Sequence, residues 1–157
     1  MTNPKAMFLS LCIVLALVKT ASADPKKLVI VVAKGSSVTS ISRSDLKHCF
    51  MGDSFSVDGK PLVPFNSQPK TSERVGFDRE ILAMSPDEVG RYWVDRKIRG
   101  QSGAPRSLPS LTHVQKVVAK FPNAISYVPE DQLTPDLQPV KLDGTSFTDK
   151  RYTLVTD

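Results

Sequence analysis

Hydroxyl side chains and one lysine gather in the polar loop of residues 66–73. Ser67, Lys70, Thr71 and Ser72 lie just before or at the start of a segment with helical periodicity. Such a loop offers hydroxyl and backbone N–H donors beside the positive end of a helix dipole, and these groups bind small oxyanions such as phosphate. The sequence therefore predicts an anion cradle here, completed by a partner or a second copy. The alternative is that Thr71 or Ser72 only caps the helix.

A second pair of hydroxyl side chains follows the first predicted strand. Ser36 and Ser37 come after Leu28–Ala33, an uninterrupted apolar run typical of a strand buried on both faces. Ligands of α/β sheets bind beyond the carboxyl ends of strands, so Ser36 and Ser37 are candidates to face the same cleft as the first loop. The alternative is that they are ordinary loop residues.

The sequence lacks the motifs of known catalytic sites. Its two histidines, His48 and His113, do not have the spacing of metal ligands. A nucleophile elbow, a phosphate-binding P-loop and a dinucleotide fingerprint are also missing. We therefore predict that the protein is not an enzyme and that it uses no cofactor and no metal.

Cys49 is predicted to be a buried structural residue. It shares one face of a short predicted helix with Leu46 and Phe50, and a small apolar role is usual for such a cysteine. The other cysteine, Cys12, lies in an N-terminal segment that we expect to be removed, so no internal disulfide is predicted. The alternative is a reactive or pairing thiol.

Basic residues cluster around the loop of residues 100–105. They are Arg96, Lys97, Arg99 and Arg106. We interpret them as a solvated surface, and we place Arg74 on a helix surface as well. The alternative for the cluster is a site for an acidic partner, an envelope polyanion or a lipid headgroup.

Tyr92 and Trp93 are interpreted as core residues, with a partner-facing aromatic patch as the alternative.

The first 23 residues have the pattern of a cleavable signal peptide. Lys5 precedes an apolar run over residues 6–18, and Ala21-Ser22-Ala23 matches the small-residue pattern of a cleavage site. The run has about 13 residues, whereas a membrane-spanning helix needs about 20, which argues against an anchor. We predict a periplasmic protein with one domain over 24–157 and no membrane span in the mature chain.

The net charge gives little indication of a partner. It is +5 for the whole chain and falls to about +3 when Lys5 and Lys19 leave with the signal peptide. This excess is compatible with an anionic ligand but too small to indicate nucleic acid, which we exclude as a partner.

Apolar periodicity predicts alternating strands and helices after residue 24. Strands are predicted over 28–33, 62–65 and 124–128, with edge strands over 140–142 and 152–155. Helices are predicted to begin after Ser42, near Thr71 (ending at Met84), after Ser85 and at Leu111. This alternation predicts an α/β domain with a mostly parallel sheet and helices on both faces.

Several motifs follow one another in an order that resembles a known family. They include Leu28–Val32, Phe50-Met51-Gly52, Val63-Pro64-Phe65, Tyr92-Trp93 and the segment from Pro122 to Val128. Together they resemble short, single-lobe relatives of the periplasmic phosphate-binding proteins that serve ABC transporters, over residues 28–130. The resemblance implies one lobe of the type II periplasmic-binding fold. It also implies phosphate or another small oxyanion as ligand and an ABC permease as a partner.

The chain departs from the family pattern at the loop of residues 66–73. Full-length members have two lobes and carry an Arg and a Ser-Gly-Thr in this loop, whereas here Asn66 or Ser67 takes the Arg position and Glu73 adds a negative charge. The alternative function is therefore a cell-envelope protein–protein interaction module that kept the fold and lost the ligand.

Overall fold

A computed structural model describes residues 24–156. The predicted signal peptide, residues 1–23, lies outside the described residues. The strands are β1 (Leu28–Ala33), β2 (Ser40–Ile41), β3 (Ser56–Val57), β4 (Lys60–Pro61), β5 (Val63–Asn66), β6 (Arg106–Ser107), β7 (Ala124–Pro129), β8 (Leu137–Pro139) and β9 (Lys141–Leu142). The helices are α1 (Arg43–Phe50), α2 (Ser72–Phe77), α3 (Pro86–Ile98) and α4 (Leu111–Lys120). A π-helical turn over Asp78–Leu82 and a 3-10 turn over Glu130–Gln132 complete the elements.

Five strands form the central sheet in the order β6-β5-β7-β1-β8. The β5–β6 and β5–β7 pairs are parallel, and β1 is antiparallel to both β7 and β8. Four of the five strands therefore point in one direction, which confirms the predicted mostly parallel sheet. The exception is β1, which is antiparallel to both of its neighbours. Its six residues are all buried because both faces of the sheet are covered.

Alternate residues of β1 belong to two hydrophobic clusters, one on each face of the sheet. Leu28, Ile30 and Val32 pack in a cluster that contains residues of α1, α2 and α3. Val29 and Val31 pack in a second cluster that contains residues of α4. This arrangement confirms the prediction of helices on both faces.

Two of the predicted helix starts have the expected caps. Ser42 Oγ accepts a hydrogen bond from Asp45 N at 3.0 Å and begins α1. Ser85 and Glu88 form a complete capping box at the start of α3. Each cap satisfies N–H groups that the helix itself leaves without a partner, so these local signals mark a helix start in any fold.

The helix predicted from Thr71 to Met84 is interrupted. Regular α-helix ends at Phe77, and a π-helical turn follows to Leu82. Ala83 then ends the turn in the left-handed region, with a φ of 56°.

The sequence also did not predict β6 and β8, whereas the predicted strand over 152–155 is only a single bridge between Lys27 and Val155.

Within residues 24–156, none of the helices has the length and apolar character needed to cross a membrane.

Candidate functional site

The six predicted ligand residues lie at opposite ends of the sheet. Ser67, Lys70, Thr71 and Ser72 follow the carboxyl end of β5, whereas Ser36 and Ser37 follow the carboxyl end of β1. β7 is parallel to β5 and antiparallel to β1, so the carboxyl ends of β1 and β5 point in opposite directions. The two loops therefore do not face one cleft.

A cavity of about 220 Å³ lies beside the loop that follows β5. Its polar lining consists of Lys70, Arg74, Asp78 and Ser107. Lys70 is the predicted ligand residue that lines this cavity. Ser67 lies behind the wall, where its backbone carbonyl accepts a hydrogen bond from Arg74 Nη1 at 3.4 Å.

Arg74 and Asp78 form a buried ion pair in the wall of this cavity. Arg74 Nε donates to Asp78 Oδ2 at 2.7 Å. Only 8% of Arg74 and 3% of Asp78 is exposed, so the prediction that Arg74 lies on a helix surface is wrong. Because the two residues are four apart along the chain, the helical turn between them brings their side chains together.

Burial leaves part of this polar cluster without partners. Burial raises the pKa of Asp78 above its ordinary value of 3.8, although Arg74 lowers it through its charge and its hydrogen bond. Asp78 Oδ1 and Ser67 Oγ are buried and have no hydrogen-bond partner among the residues that the structure describes. A buried polar atom of this kind costs about 1–3 kcal/mol, so these two atoms lower the stability of the fold as long as they have no partner.

Lys70 occupies a strained backbone conformation beside the cavity. Its φ is 70°, in the left-handed region that favours glycine and costs other residues about 1–2 kcal/mol. Such strain is common at binding sites, where the chain is held in the geometry that the ligand needs.

Thr71 and Ser72 use their hydroxyl groups within the loop. Thr71 holds the N-cap position of α2, but its side chain makes no capping hydrogen bond. Instead, Thr71 Oγ1 donates to Gln68 O at 3.0 Å, and Ser72 Oγ donates to Glu73 Oε2 at 3.5 Å. Both hydroxyl groups thus shape the loop that presents Lys70.

Ser36 and Ser37 line a separate cavity of about 480 Å³ at the opposite end of the sheet. Lys60 and Asn123 contribute to the same lining. Ser36 Oγ accepts a hydrogen bond from Val38 N at 3.3 Å, which is a turn contact within its own loop.

The basic cluster around residues 100–105 is only partly a solvated surface. Lys97, Arg99 and Arg106 are exposed as predicted. Arg96 is not, since 15% of its side chain is exposed. Its Nη1 donates to Tyr92 Oη at 3.0 Å and its Nη2 donates to Ser102 Oγ at 3.0 Å.

Ser102 ties the loop of residues 100–105 to the end of α1. Its Oγ donates to Gly52 O at 2.9 Å. Ala104 and Pro105 of the same loop line the 220 Å³ cavity, together with the half-buried Trp93 of α3. Arg96 and Ser102 therefore position one wall of the cavity from outside it.

The sequence did not single out Arg74, Asp78 or Ser107 as site residues. An arginine and an aspartate four apart on a helix are usually a surface pair, and only the fold shows that this pair is buried. For Arg74 and Asp78, the one local signal was their position directly after the polar loop. Ser107 belongs to β6, a two-residue strand inside a loop rich in glycine and proline.

We expect Cys49 to be unreactive in the folded protein. The thiol is free and 2% exposed, as predicted, and burial raises its pKa to about 12. Because the thiolate is the reactive form, labelling by a thiol-specific disulfide reagent at pH 8 should be at least about 100-fold slower than in denaturant. Rapid labelling of the native protein would contradict this.

Over residues 24–156, no group of three or more candidate metal ligands is present.

Comparison with known proteins gives matches among solved structures. No family model matches the chain, and no curated protein matches it. A phosphate ABC transporter substrate-binding protein from Clostridium perfringens, solved with bound phosphate, superposes with a TM-score of 0.67 at 16% identity. An ABC-type phosphate transport receptor from Vibrio cholerae gives 0.67 at 11% identity, and PstS from Borrelia burgdorferi gives 0.63 at 13% identity.

The chain has the fold of one lobe of these proteins. The three matches cover 83%, 84% and 85% of this chain but 53%, 54% and 55% of theirs, so the chain spans about half of their length. The family resemblance and the fold class predicted from the sequence are thereby confirmed at the level of the fold. The names of the first two neighbours describe transport proteins, and none of the three is named as an enzyme.

Proposed function

We propose that the protein is an exported, solute-binding-like protein that binds phosphate or another small oxyanion for an ABC transporter. The proposed site is the cavity of about 220 Å³ lined by Lys70 and Arg74. Periplasmic location and an ABC permease partner belong to the same proposal. The signal-peptide pattern of residues 1–23 supports the location, and the similarity to two ABC transport proteins supports the partner.

The observation that carries this proposal is the buried polar cluster in the cavity wall. Lys70 and Arg74 bring two cations to the cavity, whereas Asp78 brings one carboxylate. The local charge therefore favours an anion, which accepts charge-assisted hydrogen bonds from both cations. The regular part of α2 is six residues long, so these side chains supply more of the attraction than a helix dipole would.

The predicted residues divide between this site and its surroundings. Lys70 contacts the ligand in our proposal, and Ser67, Thr71 and Ser72 shape and support the loop that carries it. Ser36 and Ser37 line the other cavity, so we assign them no role in this site.

Replacing Lys70 by glycine should weaken binding while making the fold more stable. The loss of one charge-assisted hydrogen bond, about 1.5–3 kcal/mol, corresponds to an affinity loss of about 10- to 100-fold. At the same time glycine removes the strain at a φ of 70°, so the free energy of unfolding should rise by about 1 kcal/mol. Titration calorimetry with phosphate and sulfate, together with urea unfolding, measures both effects.

Ala83→Gly is the matched control for this experiment. Ala83 also lies in the left-handed region, and it does not line the cavity, so its replacement should give the same rise in stability without a loss of affinity. Lys60→Ala removes a cation at the opposite end of the sheet and should leave the affinity unchanged. If the wild-type protein gives no saturable heat with any small oxyanion, the proposed function is wrong.

A second candidate function is a protein–protein interaction module of the cell envelope. The outer face of α3 favours it, since 60% of Val94 and 80% of Ile98 is exposed on this face. Under this alternative the purified protein gives no heat with any oxyanion, and an envelope protein is retained by the wild type but not by a Val94→Asp/Ile98→Asp variant.

A further inference from the structure

The cavity beside Lys70 has two chemically different walls. Its ionic wall comes from residues 69–78 and carries Lys70, Arg74 and Asp78 beside the apolar Pro69 and Val75. Its other wall is apolar and comes from α3 and the loop of residues 100–105. This apolar wall consists of Pro86, Val89, Trp93, Ala104 and Pro105.

We infer that the ligand is a small organic oxyanion, such as a phosphonate with a short alkyl group or a single ring, rather than the bare inorganic ion. This inference rests on the proposed function, because it concerns the same cavity. A bare oxyanion carries hydration that an apolar wall cannot replace, whereas an organic substituent gains by leaving water for such a wall. A ligand with a charged head and an apolar group therefore matches both walls.

The volume of the cavity limits the size of the organic substituent on the ligand. Its volume of about 220 Å³ lies below the range of roughly 300–1,000 Å³ that is usual for sites of drug-sized ligands. One small substituent on the anionic head therefore suits the cavity better than a nucleotide or a lipid.

Trp93 is held in place without a ligand. Its indole ring lies edge-on to Tyr92, with the ring centres 4.9 Å apart and the planes at 80°. The Arg96 guanidinium lies 5.8 Å from the centre of the Trp93 ring. A methyl group at Gly52 would lie 3.2 Å from the six-membered ring, which shows how closely the end of α1 packs against it. The aromatic surface that faces the ligand is therefore preorganised.

The loop that completes the apolar wall is also fixed. Ser102 Oγ donates to Gly52 O at 2.9 Å and accepts from Arg96 Nη2 at 3.0 Å, and these two contacts hold the segment that leads to Ala104 and Pro105. A wall that is already ordered loses little entropy when a ligand binds, so contact with it favours an organic substituent.

Intrinsic fluorescence gives a direct test, because Trp93 is the one tryptophan of the chain. Titrations of the purified protein with phenylphosphonate, methylphosphonate and inorganic phosphate should show phenylphosphonate binding at least about tenfold more tightly than phosphate. Phenylphosphonate should also change the Trp93 emission more than inorganic phosphate does. Benzyl alcohol, which has the ring but no charge, should not bind measurably.

Variants measure the contribution of each wall to the affinity separately. Trp93→Leu should reduce the preference for phenylphosphonate over phosphate to less than about threefold, as measured by calorimetry, whereas Val94→Ala on the exposed face of the same helix should preserve the preference. Lys70→Gly should weaken both ligands. Thermal melts of each variant show whether it is folded at the titration temperature. If Trp93→Leu is unfolded at that temperature, the change in Trp93 emission of the wild-type protein on ligand binding decides the test.

The outcomes distinguish this inference from the proposed function. Equal affinity for phenylphosphonate and phosphate would overturn the inference and leave the proposed function standing. Tight binding of phenylphosphonate without a change in Trp93 emission would also overturn it. If none of the anions binds, the proposed function fails and the inference fails with it.

Discussion

Replacing Gly76 by alanine should lower the free energy of unfolding by about 3 kcal/mol. A methyl group at this position of α2 would lie 2.8 Å from Thr156 Cα and 2.9 Å from Thr156 C, and it would be closer still to the carbonyl oxygen of Val155. These are backbone atoms, which cannot rotate away as a flexible side chain can. Overpacking of a closed interior typically costs about 1–3 kcal/mol, and a clash with backbone should lie at the upper end.

The carboxyl-terminal segment cannot move away without breaking other contacts. Thr156 N donates to Lys26 O at 2.7 Å, and Lys26 N donates to Thr156 Oγ1 at 2.9 Å. Leu154 of the same segment is completely buried. Relief of the clash would therefore expose apolar surface and separate the two ends of the domain.

Gly90→Ala is the matched control, since it places the same methyl group on another helix. Nothing lies within 4 Å of that methyl position in α3. The substitution removes the entropic cost of a helical glycine, so the free energy of unfolding should rise by about 0.5–1 kcal/mol. Chemical denaturation of both variants measures the difference. Equal effects at the two positions would show that the carboxyl-terminal segment does not pack on α2 in solution.

Features of the fold that depend only on residues close together along the chain were predictable from the sequence. The caps at Ser42 and Ser85 involve residues only three positions away along the chain. The six-residue run of β1 was predicted with its correct bounds because complete burial requires a continuous apolar pattern.

The direction of β1 was not predictable in the same way. A strand that is buried on both faces shows the same pattern whether its neighbours are parallel or antiparallel. For that reason the sequence could not show that Ser36 and Ser67 lie at opposite ends of the sheet.

The candidate site was predictable only in part. Lys70 was found because it lies in a polar loop after a strand, which is a local signal. Arg74 and Asp78 were missed as site residues because their burial depends on packing between α2 and distant parts of the chain. The sequence singled out the loop that carries Lys70, but the buried groups of the proposed site depend on the tertiary structure.

Replacing Asp78 by alanine should lower the free energy of unfolding by about 3–5 kcal/mol. The substitution leaves the buried Arg74 guanidinium without its carboxylate, which accepts from Arg74 Nε at 2.7 Å. A protonated Asp78 can still accept this hydrogen bond, whereas alanine leaves the buried Arg74 donor without its acceptor, and the loss of one partner of a buried ion pair typically has this magnitude. Urea denaturation near neutral pH measures the effect. Asp95→Ala, which removes the exposed carboxylate of another ion pair between residues four apart, Asp95 and Arg99, is a control that should cost less than about 1 kcal/mol.

The contribution of Asp78 to stability should also depend on pH. Because burial raises its pKa above 3.8, the folded state binds the proton of Asp78 more tightly than the unfolded state does. This contribution to the free energy of unfolding is therefore greatest at low pH, and it decreases as the pH rises from about 3.8 through the raised value. The dependence should be absent when residue 78 cannot ionise.

A double variant, Arg74→Met/Asp78→Leu, separates stability from binding. Apolar side chains of similar length remove both buried charges, and such a replacement is often neutral or stabilising compared with the ion pair. The double variant should therefore recover most of the stability that Asp78→Ala loses, with a free energy of unfolding within about 2 kcal/mol of the wild type. Without the Arg74 cation, it should lose at least about tenfold in affinity for phosphate and for phenylphosphonate.

A double variant that is stable and binds as the wild type does would show that the ion pair serves only the fold. A double variant that is stable but does not bind would show that Arg74 and Asp78 are retained for the ligand, despite the cost of burying them.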